Sequence, residues 1–233
     1  MPNHVMNILK MQGITKLPLF SHKDGQMEFD LSKIVPMPEA LNRGSGSIED
    51  LAIETVLRKL VSHPRSLLCS YITTGMKDDA YQRSIENSAI SEDELCKLGL
   101  AYISNKALYG ATSWYDWCIM NWNTKWNAYS TDMYDDDTIA FATACSPPEN
   151  VIARLAEMYP GAVIEHWWAD EDCGNNSGYT MYGSSGGTIK DYHESGSSAA
   201  DETFVHCWGE NSCLYQDDEG LWHHKNCDEC QEC

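Results

Sequence analysis

Five cysteines crowd the last 27 residues of this 233-residue chain. Cys207, Cys213, Cys227 and Cys230 follow the spacing C-x5-C then C-x2-C, with His206, His223, His224 and Cys233 beside them. A C-x2-C knuckle brings two thiolates to one metal ion, and a second pair completes a tetrahedron, so zinc is the cofactor these residues would take. Four thiolates leave no open position, which would make the site structural. The alternative is a tail of redundant thiols. Cys69, Cys96, Cys118, Cys145 and Cys173 are scattered through apolar or helical stretches, as buried small residues would be. The start of the chain shows no basic segment followed by an apolar run, so all ten cysteines are expected to be reduced.

The acids form a second chemical feature. Residues 1–131 hold 14 Asp and Glu against 13 Lys and Arg, whereas residues 132–233 hold 21 against 3, a net of −18 out of −19. Such a field repels phosphate backbones and attracts basic protein surfaces and divalent cations. Direct nucleic-acid binding is therefore disfavoured, and the expected partner is a protein with a basic surface. The candidate acidic face is marked by Asp170, Glu171, Asp172, Asp217, Asp218 and Glu219. Asp135–Asp137 and Asp170–Asp172 could also hold a divalent cation, although adjacent acids on a turn are more often simply solvated. Tuning for solubility is the competing explanation of the whole charge pattern.

A third feature runs from Trp114 to Tyr129, where four tryptophans and two tyrosines fall within 16 residues. Trp114, Trp117, Trp122, Lys125 and Trp126 could form a platform for stacked bases or line a peptide groove. Trp114, Trp117 and Cys118 share a helical face, so the competing reading fills a core with them. No catalytic residues emerge. His4, His166 and His193 lack neighbours that would identify a nucleophile or base, and Gly183–Gly187 lacks the Gly-Lys-Ser/Thr ending of a phosphate loop.

These groups must be carried by an α+β framework. Residues 3–12 alternate as a first strand, with Val5, Ile8 and Met11 as core candidates, and residues 27–35 alternate again before Pro36 and Pro38. After the junction 43–47 the apolar period changes to 3.6, with helices expected from Ser47 to near His63, at 79–88, and from the Ser91/Glu94 capping box to Tyr109-Gly110. A strand at 138–144, a helix begun by Ser146-Pro147-Pro148-Glu149 and a strand at 162–169 form a β–α–β run. Short strands at 178–182 and 187–192 flank a glycine-rich turn.

Four stretches occur in a telling order: Met1–Val5, Phe29–Pro38, the NW-x-TKWNAY segment at 121–129, and the strand–Ser-Pro-Pro–helix unit at 141–155. Over roughly residues 1–170 the chain thereby resembles the YubB ferredoxin-like family of plasmid and bacteriophage proteins. The resemblance implies a ferredoxin-like fold with no iron–sulfur cluster, encoded on a mobile element and working in a bacterial cytoplasm. It carries over no catalytic residues. One departure is Asn123, where the family has glycine, and asparagine is the next-best residue for a left-handed turn.

The expected fold is a ferredoxin-like sandwich, an antiparallel sheet with helices on one face. Residues 1–170 would form it, with a helical insertion at about 47–120, and residues 171–233 would add an acidic β-rich, Cys-rich extension. No stretch approaches the ~18 apolar residues of a membrane span, so a soluble cytoplasmic protein is expected. The leading function is inhibition of a host defence or nucleic-acid-processing system through an acidic, nucleic-acid-mimicking surface. A small-ligand protein or enzyme is the first alternative, with a pocket gathering Lys125, His166 and Asp116. A single-stranded nucleic-acid module is the second.

Overall fold

The computed structural model describes residues 2–62, 76–210 and 212–225. The chain divides into two compact units, one of Met1–Pro36 with Cys118–Cys233 and one of Met37–Trp117. In chain order the elements are β1 (His4–Gln12), β2 (Phe20–Lys23), β3 (Gln26–Phe29), α1 (Ser47–Ser62), α2 (Asp78–Asn87), α3 (Glu92–Tyr109) and α4 (Trp114–Trp122). There follow β4 (Tyr129–Met133), β5 (Thr138–Ala144), α5 (Glu149–Met158), β6 (Val163–Asp170), β7 (Gly178–Tyr182), β8 (Thr188–Tyr192), α6 (Ser198–Trp208), β9 (Leu214–Gln216) and β10 (Trp222–His224).

The first unit is built on a six-stranded sheet of order β4-β5-β1-β6-β7-β8, antiparallel at every pairing. β5, α5 and β6 form a split β–α–β unit, with β1 inserted between the two parallel strands. This is a ferredoxin-like α+β arrangement, and the sheet does not stop at Asp170, since β7 and β8 continue it.

Both faces of the sheet are covered, one by α5 of the ferredoxin-like part and the other by α6 from the segment after Asp170. Register places Asn7, Phe141 and Trp168 in one row and Leu9, Ile139 and His166 in the next, all on one face and all buried. Lys190 lies on that face too, opposite Thr180, which is itself opposite His166. Glu149 at the start of α5 accepts a 2.5 Å hydrogen bond from Tyr192 Oη and lies 3.9 Å from Lys190 Nζ, so α5 begins over this side. On the opposite face Ile8, Ala140 and Ala169 pack with Phe204 and Cys207 of α6. Ile8 therefore serves a different core from Val5 and Met11. A strand with period-2 alternation buries both sets only when both sheet faces are covered.

The strand expected at 27–35 ends at Phe29. Asp30 accepts hydrogen bonds from Ser32 N (3.0 Å) and Ser32 Oγ (2.6 Å), capping a 3-10 turn at Leu31–Lys33. The turn keeps Leu31 and Ile34 buried without ladder pairing, so the apolar spacing survived while its cause changed. Asn123 takes the left-handed conformation at φ 64°, as its place in the turn after α4 requires.

In the second unit, Leu51, Ala52, Tyr81, Leu95 and Tyr102 from α1, α2 and α3 form an apolar cluster. The capping box is present: Ser91 Oγ accepts from Glu94 N at 3.3 Å, while Glu94 Oε2 accepts from Ser91 N at 3.1 Å. Gly110 ends α3 at φ 75°. Gly99 faces α1 so closely that a Cβ there would lie 2.1 Å from the Ala52 carbonyl oxygen. Arg58 bridges Glu54 (2.8 Å) and Asp78 (2.6 Å), and Lys59 reaches Asp93 at 3.1 Å.

Candidate metal centre

The segment after β6 is shaped by Asp170. Its carboxylate accepts hydrogen bonds from Asn3 Nδ2 (2.9 Å), Asp172 N (3.0 Å) and Asn176 Nδ2 (3.2 Å), folding residues 171–176 into a compact turn. That turn presents the Cys173 thiol, half-buried against the α6 side of the sheet. Gly174 follows at φ 76°, and its carbonyl accepts from Gly196 N at 2.9 Å, tying the turn to the lead-in of α6. Ser197 caps α6 by accepting from Ala200 N at 3.2 Å, which sets Asp201 in the first helical turn. Trp222 N donates to Ser198 Oγ at 3.0 Å and brings β10, with His224, alongside.

The three segments converge. One ligand atom each from Cys173, Asp201 and His224 lies within 4.8 Å of the other two, and His224 Nε2 is 2.9 Å from Asp201 Oδ1. Asp201 is only 1% exposed, whereas the His224 side chain is 41% exposed and opens the cluster to solvent. Burial pushes the Asp201 carboxyl up, against the opposing pull of His224 and His223. Asp201 Oδ1 has no well-aligned hydrogen bond among the described residues, with His224 Nε2 the close polar neighbour at 2.9 Å. A Cβ at Gly174 would sit 3.0 Å from both Asp201 Oδ1 and His224 Nε2, so glycine keeps the space beside the donors open.

Of the four cysteines expected to hold zinc, Cys207 and Cys213 lie among the described residues. Cys207 lies in the apolar cluster under α6, where burial pushes its thiol pKa up. Cys213 is disulfide-bonded, which also corrects the expectation that every cysteine is reduced. Cys227 and Cys230, like Cys233, lie outside the described residues.

The acidic residues divide into structural and exposed groups. Asp170 is 5% exposed and belongs to the interior of its turn, not to a surface. Asp217 organises the β9–β10 hairpin, accepting from Glu219 N and Leu221 N (both 2.9 Å) and facing His223 Nε2 at 2.8 Å. Those bonds, the Leu221 N–H foremost, hold its carboxyl below the usual range. Glu171, Asp172, Asp218 and Glu219 are exposed. Asp135 is likewise a turn acceptor, for Asp137 N (2.7 Å) and Thr138 N (2.6 Å), while Asp136 and Asp137 are exposed.

Within the aromatic segment Trp117 (6% exposed) and Trp122 (4%) are core residues, and Trp122 Nε1 donates to the Val35 carbonyl at 2.8 Å. Neither is open to a stacked base. Trp114 is half-buried, edge-on to Tyr115, and Lys125 Nζ lies 5.1 Å from the centre of the half-buried Trp126 ring. His166 is sealed in the sheet, its Nε2–H donating to Asn7 Oδ1 at 3.0 Å, and burial drives its pKa down to about 3. A cavity of about 560 Å³ opens in the first unit between α5 and the Gly183–Thr188 turn, and neither Lys125 nor His166 lines it.

Comparison with known proteins bears on the fold. Residues 121–215 match the family model described as a ferredoxin-like domain in Api92-like protein. That span runs from the end of α4 into β9 and omits β1, the strand at the centre of the sheet. Among solved structures, the chain is similar to the crystal structure of a protein api92 from Yersinia pseudotuberculosis, at 11% identity and a TM-score of 0.38. The likeness covers 84% of this chain and 99% of that one. A comparison with curated proteins finds no match. Among the described residues, no helix is long and apolar enough to cross a membrane.

Proposed function

We propose that the first unit is an acidic binding module that occupies a basic surface of a partner protein. The single observation carrying this reading is the charge of that unit: 24 acids against 8 bases, a net of −16, against −3 for residues 37–117. Its late-chain cations are already engaged. Arg154 pairs with Glu157 at 2.8 Å, Lys190 lies 3.9 Å from Glu149, and Lys225 Nζ donates to the Ser212 carbonyl at 2.6 Å. Exposed carboxylates at Glu171, Asp172, Asp218 and Glu219 thus have few positive neighbours. A rigid, uncompensated set of carboxylates complements the channel of a nuclease or defence effector that otherwise holds a phosphate backbone.

In this reading the protein is an inhibitor carried by a phage or plasmid and acting in a bacterial cytoplasm. The mobile-element setting rests on the YubB resemblance, and the fold is compatible with it. The burial of Trp117, Trp122 and His166 weakens the base-stacking and catalytic alternatives.

The test is recovery of partners from host lysate by the intact chain and by the variant carrying Glu171→Gln, Asp172→Asn, Asp218→Asn and Glu219→Gln. A basic nucleic-acid-processing protein should co-purify with the intact chain, be displaced by added DNA, and be lost with the variant. Equal recovery by both chains, or no such partner, would sink the reading.

A further inference from the structure

We infer that Cys173, Asp201 and His224 form a zinc-binding site, independent of any partner surface. The donor set is one thiol, one carboxylate and one imidazole, a soft and borderline mixture that suits zinc and poorly suits calcium or magnesium. Zinc bonds of about 2.0–2.3 Å place neighbouring ligand atoms roughly 3–4 Å apart, and the three donors lie within 4.8 Å of one another, so a small inward adjustment completes the set. The 2.9 Å separation of His224 Nε2 and Asp201 Oδ1 fits two bonds to one ion at an angle of about 90°.

Two further observations point to a ligand. Asp201 is almost wholly buried, and its Oδ1 receives no directed hydrogen bond among the described residues. A buried carboxylate oxygen without a well-aligned hydrogen bond is costly, and a cation shared with His224 removes that cost. Gly174 leaves open the space beside both atoms that any side chain would fill. The supporting geometry is independent of the metal: the Asp170-centred turn, the Ser197 cap and the Trp222–Ser198 bond each fix one of the three segments. Entry lies on the exposed side of His224. Binding would release the Cys173 thiol proton and leave a fourth position beyond these three ligands.

The experiment uses the full chain, stripped with chelator and titrated with zinc(II) alone, then with cobalt(II) alone as a spectroscopic probe. The expected result includes a zinc that raises Tm and a cobalt complex with a thiolate-to-metal charge-transfer band. Cys173→Ser should remove that band, and His224→Gln should lower zinc affinity at least tenfold. His224 is exposed enough for its variant to fold, and its apo Tm checks this. Substitution of Cys227, Cys230 and Cys233 together by serine should leave the Cys173-dependent band in place. The inference is overturned if Cys173→Ser keeps the full band, if His224→Gln binds zinc as tightly as the intact chain, or if the tail variant alone abolishes the band.

Discussion

The two units handle charge and polarity in opposite ways. In residues 37–117 the main cations of α1 are matched: Arg58 to Glu54 and Asp78, and Lys59 to Asp93, over an apolar helix cluster. In the other unit the acids outnumber the bases threefold, and polar groups are drawn inside the sheet and its loops. Asn7 donates to Val5 O (2.9 Å) and Thr143 Oγ1 (2.9 Å), His166 is sealed beside it, and Asp170 and Asp201 are buried. Surface ion pairs contribute little individually, whereas buried polar groups carry large penalties when mismatched. The helical unit is therefore sensitive mainly to steric change, and the sheet unit to protonation.

Three experiments can break or sharpen that contrast, each read by segment-resolved hydrogen exchange so that the units report separately. The largest effect is expected from Gly99→Ala. The new methyl would meet the Ala52 carbonyl oxygen at 2.1 Å, so α1 and α3 must separate. A loss of about 3 kcal/mol is expected in residues 37–117, since overpacking outweighs the usual helix gain from alanine. Unchanged protection in α1 and α3 would mean their crossing tolerates displacement.

Next comes pH. His166 has a folded pKa of about 3 against an unfolded value near 6.5, so the unfolded state takes the proton first. Its contribution is full above pH 6.5 and falls as pH drops toward 3. Between pH 7 and pH 5 the sheet unit should lose about 2 kcal/mol, and His166→Gln should flatten that dependence. The helical unit has no histidine among its described residues and should change little over the same interval. Equal loss in both units would remove His166 as the cause.

Salt should produce the smallest effect. Raising ionic strength screens repulsion among the exposed acids of the sheet unit and weakens the Arg58 and Lys59 pairs of the helical one. Opposite shifts are expected, each below about 1 kcal/mol. Shifts of the same sign would show that the charge asymmetry does not govern local stability.

Much of the scaffold was legible from local pattern. Ser91 with Glu94 marked the start of α3, Gly110 its end, Pro147-Pro148 the approach to α5, and Asn123 a left-handed turn. Each signal acts over a few residues and depends on little else. The centre at Cys173, Asp201 and His224 carried no such mark, because its members lie 28 and 23 residues apart on a turn, a helix and a hairpin. The cysteines at 207–233 are denser and carry the stronger local signal. Glycine after Cys173 was the one local hint, and its meaning depends on atoms brought in from elsewhere. The acid count also could not tell that Asp170 and Asp217 serve as hydrogen-bond acceptors for their own turns.

The placement of β1 has a temporal consequence. It is synthesised well before its register partners, which are distant in sequence: Val5 lies opposite Thr143 and Asp170. At roughly 5–20 residues per second, translation needs on the order of 10–30 s to deliver the first of those strands. During that interval an apolar strand has neither neighbour available, while residues 37–117, whose contacts are local, can already form helices. The nascent chain thus carries an unpaired sheet centre behind an early-folding insert. Synthesis rate and chaperone access, more than equilibrium stability, would then govern how much of the protein reaches its native state.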